Sequence, residues 1–181
     1  MSTIDATIKG LSDSNQKYDG ADLEIVILHT RWNQSIITAL VTGAIDTLLA
    51  SGVKREKIFI EDVPGSYELP WAASHPRGSR ISALIAIGTL IKGSTMHFEY
   101  ICDAVSHGLM KASMENGTPV IFGVLTCLTE LQAQQRAGLV PGSHNHGEDW
   151  AKAAVECGVK RTSWSSGGGL LSLADKDFPK S

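Results

Sequence analysis

Four short apolar runs punctuate the chain, at residues 23–28 (LEIVIL), 58–63 (IFIEDV), 83–87 (ALIAI) and 120–125 (VIFGVL). They are rich in isoleucine and valine and mostly continuous rather than alternating, which predicts strands buried on both faces of a largely parallel sheet. Between the runs the period lengthens. Ile36, Ile37, Leu40, Val41, Ala44, Ile45, Leu48 and Leu49 recur as adjacent pairs every four residues, giving a broad apolar stripe on a helix ended by Gly52. A shorter helix fits residues 67–74, with Pro70 tolerable only near its start. Phe98, Ile101, Cys102, Val105 and Leu109 line a third helix closed near Gly117. Thr129 with Gln132 forms a capping-box pattern that opens a fourth, and Trp150, Ala153, Ala154 and Cys157 mark a fifth.

Strand and helix thus alternate through the chain, which predicts an α/β fold: a three-layer α/β/α sandwich around a four-stranded parallel sheet. The pattern does not dictate the strand order, but a flavodoxin-like order 2-1-3-4 fits it. Residues 1–20, polar and punctuated by glycine, read as an N-terminal arm. Residues 21–160 read as one α/β domain, and residues 161–181, with SSGGG at 165–169 and then mixed charge, as a flexible C-terminal tail.

Composition narrows the function classes. A chain of 181 residues that is 43% hydrophobic can bury one proper core, which excludes a wholly disordered protein. The charge sum, 16 − 19 = −3, gives no electrostatic footprint for nucleic acid, and no basic run suggests an anionic membrane surface. No apolar run is long enough for a membrane span, and residues 1–20 lack the apolar stretch of a secretory signal. Cys102, Cys127 and Cys157 are odd in number and form no CxxC pair, as expected of reduced core-filling thiols in a cytoplasmic protein rather than a disulfide framework or zinc knuckle.

The chemically rich residues fall just after the predicted strands, where open α/β sheets bind ligands. His29, Arg31, Trp32 and Asn33 follow the first strand; VPGSYELP (63–70) follows the second, GTLIKGSTMHFEY (88–100) the third, and residues 126–130 the fourth. Gly93, Ser94 and Thr95 precede a helix and suit phosphate capture: glycine admits the anion close to the backbone, a hydroxyl donates, and helix-start N–H groups favour negative charge. The same residues also suit an ordinary capped turn. Gly88 and Gly93 are spaced almost as in a P-loop, but Ser94 stands where lysine is needed, which excludes an NTPase.

His97 could exchange protons beside a bound phosphate, or could simply cap the third helix. Glu68 could accept hydrogen bonds from ligand hydroxyls, or stabilise a helix dipole. Trp32 could stack on a planar heterocycle or fill the core. Arg136 ends an otherwise uncharged helical stretch and is a candidate second phosphate contact; solvent exposure is the alternative. His144 and His146 form an H-x-H pair without a defined third ligand, so a loop or substrate-contact role ranks above a metal, and no metal site is assigned.

Taken together, these pieces resemble the lumazine synthase family. The matching segments are HTRWN (29–33), VPGSYELP (63–70), GTLIKGSTMHFEYICDAVSHGLM (88–110), PVIFGVLT (119–126), QAQQRAG (132–138) and HNHGEDWAKAAVE (144–156). They occur in the family's order over about residues 22–160, and only their combination is specific. Trp32, where bacterial members usually carry phenylalanine, and the longer HNHGEDW loop resemble the fungal branch.

The resemblance implies a cofactor-free condensation of 5-amino-6-(D-ribitylamino)uracil with 3,4-dihydroxy-2-butanone 4-phosphate, the penultimate step of riboflavin biosynthesis. It implies that Trp32 stacks on the pyrimidine, that Ser66, Tyr67 and Glu68 hold the ribityl chain, and that Thr89, Leu90 and Ile91 line the uracil pocket with Phe122. Ser94, Thr95 and Arg136 would bind phosphate, His97 would move protons, and Lys92 and His146 would support them. It further implies a homopentamer whose sites lie between subunits, with Phe122, Arg136 and His146 coming from the neighbour, and no nucleic-acid or membrane partner. The extended loop at 139–149 resembles members that stop at the pentamer rather than stacking into a shell. The rival readings are a non-catalytic flavin or pterin carrier, which would tolerate loss of His97 and Arg136, and a purely structural shell protein, which would need neither the phosphate turn nor Glu68.

Overall fold

In the computed structural model, which describes residues 17–75 and 81–168, four parallel strands form one sheet in the order β2-β1-β3-β4. They are β1 (Ile25–Thr30), β2 (Ile58–Val63), β3 (Ala83–Ile91) and β4 (Val120–Cys127). Ile25 lies beside Ile58 on one side and Ala83 on the other, and Leu84 beside Val120. This is the expected order, and it sets all four carboxyl ends along one rim.

Helices α1 (Gln34–Ala50), α2 (Leu69–Ser74), α3 (His97–Asn116), α4 (Glu130–Arg136) and α5 (His146–Ser165) complete the element list, with single 3₁₀ turns at Arg55–Lys57 and Ser66–Glu68. Alternate strand residues point to opposite faces. Ile25, Ile27, Ile85 and Ile87 pack against Ile37, Leu40 and Leu48 of α1 and Ala151, Ala154 and Val155 of α5. Val26, Leu28, Leu84 and Ala86 pack against Leu69 and Ala72 of α2 and Val105 and Leu109 of α3. Each such leucine or isoleucine contributes roughly 1.5–3 kcal/mol by leaving water, which makes the two central strands the anchor of the domain.

Two glycines let α1 and the start of α5 approach closely. A Cβ on Gly147 would stand 2.1 Å from the Leu40 carbonyl oxygen, and one on Gly43 2.7 Å from the Asn145 side chain. Asn145 caps α5 by accepting the Gly147 N–H at 2.9 Å, while its own Nδ2 donates to the Ala39 carbonyl of α1 at 2.9 Å. The amide therefore ends one helix and fastens it to another.

Several expectations need correction. β2 is an edge strand and is not buried on both faces: Phe59 is 44% exposed and Ile60 45%. β1 includes His29 and Thr30, and β3 continues through Thr89, Leu90 and Ile91, which the sequence pattern placed beyond the strand. The second helix opens with a 3₁₀ turn, and Pro70 does sit in the first turn of α2. α5 runs to Ser165, so residues 161–165 extend a helix rather than begin a tail. Arg161 holds that end down by donating to the carbonyls of Gly117 at 2.6 Å and Ile81 at 2.7 Å. Of the arm, Tyr18 reaches Glu156 of α5 at 3.4 Å, and Gly20 donates to Ser51. Residues 1–16, 76–80 and 169–181 lie outside the described residues.

The three thiols are free, and burial pushes each of their pKa values up. Only Cys127 is a buried core filler; Cys102 and Cys157, expected in the core, are half-buried. Among the described residues no helix is long and apolar enough to cross a membrane.

Candidate active site

The carboxyl rim of the sheet begins with a turn made by Asn33. This residue adopts φ +58°, a left-handed conformation that asparagine tolerates, and starts α1 by accepting the N–H groups of Ile36 and Ile37. Its Nδ2 donates to the Thr89 carbonyl at 3.3 Å and so ties the β1–α1 turn to β3. Trp32, just before it, is 71% exposed, which removes the reading of a core tryptophan.

The turn after β2 brings a carboxylate to that indole. A Cβ on Gly65 would stand 3.2 Å from Glu68 Oε2 and 3.3 Å from Trp32 Cδ1, so the bare glycine lets ring and carboxylate share one wall. Ser66 is buried, and its Oγ lies 2.7 Å from where a Cβ on Gly88 would stand, which seats the 3₁₀ turn on the end of β3. Tyr67 projects outward from the same turn and is exposed. Thr89 is buried, while Leu90 and Ile91 are half-buried at the end of β3. The hydroxyls of Thr30 and Thr89, both at this rim, have no hydrogen-bond partner among the described residues.

Beyond β3 the chain opens out. Lys92, Gly93, Ser94, Thr95, Met96 and His97 are all exposed, and nothing lies within 4 Å of where a Cβ on Gly93 would be. Thr95 Oγ1 accepts the His97 N–H at 3.4 Å, and His97 is the first residue of α3, whose N-terminal N–H groups therefore face this turn. Lys92 is paired with Glu99 in the first turn of α3, and its hydrogen bond pulls the Glu99 pKa down. The lysine charge is thus held beside the turn. An anion fits here on geometry and on helix-dipole grounds.

A second cluster forms where α4 meets α5. Thr129 caps α4 by accepting the Gln132 N–H at 3.3 Å. The Gln132 side chain accepts from Leu128 at 2.8 Å, one residue earlier than a standard capping box would have it. Arg136, half-buried, ends α4, and an Ala137–Asn145 bridge folds the following loop back to the start of α5. There Asp149 Oδ2 lies 2.8 Å from His144 Nε2 and 3.1 Å from His146 Nδ1. Burial lowers the His146 pKa, Asp149 opposes that, and the Arg136 charge adds to the lowering.

Asp149 was missed from the sequence, where the H-x-H pair had no third partner. The signal was present: Asp149 is one helical turn beyond His146, in the i, i+3 relation that puts both on one face.

Phe122 is not brought to the rim of its own chain. It lies beside Ala86, three residues or about 10 Å before Thr89 on β3, and is 42% exposed. The structure thus gathers Trp32, Ser66, Tyr67, Glu68, Thr89, Leu90 and Ile91 around one rim, next to Ser94, Thr95 and His97. It groups Arg136 with His146, brings the Arg136 charge to bear on Cys127 at the end of β4, and leaves Phe122 apart.

A parallel sheet whose carboxyl rim offers an exposed aromatic ring, a facing carboxylate and an open helix start defines an α/β protein of the class that takes small molecules at its strand ends. Comparison with known proteins makes the class particular. The family model described as 6,7-dimethyl-8-ribityllumazine synthase matches residues 22–161, and the chain belongs to that family. It is 47% identical to the 6,7-dimethyl-8-ribityllumazine synthase of Pyricularia oryzae over 84% of this chain and 94% of that one. The protein of the same name from Schizosaccharomyces pombe is 54% identical over 84% of this chain and 96% of its own. That from Porphyromonas gingivalis is 43% identical over 75% and 82%.

Proposed function

We propose that the protein condenses 5-amino-6-(D-ribitylamino)uracil with 3,4-dihydroxy-2-butanone 4-phosphate to give 6,7-dimethyl-8-ribityllumazine, phosphate and water, the penultimate step of riboflavin biosynthesis. The amine adds to the ketone and loses water to form an imine, phosphate is eliminated, and the second nitrogen closes the ring with loss of another water. The observation that carries this reading is the convergence of Trp32 and Glu68 across Gly65, beside the open turn before His97, in a chain of this family.

Trp32 supplies a stacking face for the pyrimidine, worth roughly 0.5–1.5 kcal/mol beyond burial. Glu68, with Ser66 and Tyr67, holds the ribityl hydroxyls, and Thr89, Leu90 and Ile91 offer a strand edge to the uracil. Ser94 and Thr95 hold the phosphate at the start of α3, and His97 moves protons beside it. Holding two small reactants together supplies much of the acceleration and needs positioning more than a strong nucleophile.

The remaining residues fit a site completed by a neighbouring copy in a homopentamer. Phe122 lies short of the rim, Arg136 and His146 stand together on the α4–α5 side, and α3 leaves Tyr100, Met110 and Met114 exposed among the Asp103–His107 and Lys111–Glu115 pairs. Large apolar side chains set among polar ones are a common composition for an association surface. Three cysteines, odd in number and without a paired spacing, support a cytoplasmic enzyme.

The test is to mix purified protein with both substrates and follow the product by absorbance and fluorescence against an enzyme-free blank. Product above the blank, lost in His97→Ala, is the expected result. A folded oligomer that binds the ribitylaminouracil but forms no product would overturn the synthase reading in favour of a carrier.

A further inference from the structure

The start of α5 holds a donor set with a chemistry of its own. His144 Nε2, His146 Nδ1 and Asp149 Oδ2 all lie within 4.8 Å of one another. The carboxylate oxygen is 2.8 Å from one nitrogen and 3.1 Å from the other. Donors about 2.0–2.2 Å from a tetrahedral zinc ion are roughly 3.3–3.6 Å apart, so small rotations of the two rings would turn these hydrogen bonds into coordination bonds.

The frame around the three donors is firmly held. Asn145, between the two histidines, is hydrogen-bonded both to Gly147 and to α1. Asp149 is buried in the first turn of α5, and the His146 ring stacks on Trp150 with centroids 6.5 Å apart.

We propose that His144, His146 and Asp149 form a binding site for a divalent transition metal of the zinc class, with one coordination position left for an exogenous ligand. Two imidazoles and one carboxylate suit zinc, cobalt or nickel, whereas magnesium and calcium require oxygen-rich shells. The nearby Arg136 charge and the positive end of α5 oppose a bare dication, so the fourth ligand is an anion such as chloride, hydroxide or phosphate. For the same reason the affinity is weaker than that of a structural zinc site. The inference rests on the donor geometry, and because His146 also supports the proposed site, its test reads metal binding rather than turnover.

The test is to titrate the purified oligomer with Zn²⁺ by calorimetry and with Co²⁺ by visible absorption, in the parent, His144→Gln and Asp149→Asn. Circular dichroism would check folding. The expected result is one metal per chain, cobalt d–d bands without thiolate charge transfer, and affinity at least ~10–100-fold weaker in each variant. No binding up to millimolar metal overturns the proposal, as does binding equal in all three proteins or cobalt spectra dominated by thiolate. The last outcome would move the metal to the cysteines. His144 is 36% exposed in its side chain, so His144→Gln decides the matter should Asp149→Asn fail to fold.

Discussion

On one face of the sheet, α1 and α5 press together so closely that Gly43 and Gly147 leave no room for a methyl group. On the other, α2 spans only six residues, and α3 turns Tyr100, Met110 and Met114 to solvent. The first face is a finished core. The second is packed just as closely where Gly108 of α3 meets Pro70 of α2, but it turns large apolar side chains outward among the Asp103–His107 and Lys111–Glu115 pairs. Under the proposed assembly, the first layer holds the fold and the second also meets a neighbouring copy.

Substitutions should separate the two faces by what they damage. Leu40→Ala, at the centre of the α1 contact, should cost about 2–5 kcal/mol in denaturant unfolding, because the close-packed helices cannot collapse onto the cavity. Gly147→Ala should cost roughly 1–3 kcal/mol or more, since its Cβ meets backbone that cannot swing aside. Asn145→Ala, which removes a helix cap and a tie to α1, should cost about 0.5–2 kcal/mol by the same measurement. Met114→Ser should alter unfolding by less than about 0.5 kcal/mol, yet shift sedimentation toward smaller species. A Met114→Ser protein that unfolds like Leu40→Ala while sedimenting like the parent would erase the distinction between the faces.

A smaller effect follows from His146. Its pKa is lowered by burial in the folded chain, so the unfolded chain binds the proton more readily. The group therefore favours folding above the unfolded value of about 6.5, and that contribution fades as pH falls through the lowered folded value. Unfolding midpoints should drop on acidification from pH 7, with a shallower slope in His146→Gln. An identical slope in both proteins would remove His146 from the acid response.

The layers were legible because α1 repeats its apolar pairs with helical period and the central strands are continuous in isoleucine and valine. The exposure of Phe59 and Ile60 was not, because an edge strand differs from a central one only in its neighbours. The end of α5 was hidden by polar residues after Gly158. That glycine in fact packs against Leu23 and Ser82, and the helix persists because Arg161 reaches two distant carbonyls. At the rim, the residue types were visible, but the exposure of Trp32 depended on the left-handed Asn33, and its meeting with Glu68 on Gly65. The cluster at Asp149 required the loop to fold back through the Ala137–Asn145 bridge, which no local pattern announces.

The most direct test of the shared-site account mixes two crippled proteins. His97→Ala and Arg136→Ala, each purified alone, should each lose product formation, the first by roughly 10²–10⁴-fold in rate and the second mainly through weaker use of the phosphorylated substrate. Unfolded together in equal amounts and refolded, they should regain activity at about a quarter of the sites, where chance places an intact His97 beside a neighbour's intact Arg136. Activity that stays at the level of the separate variants at every mixing ratio, in oligomers shown to contain both, would contradict the account.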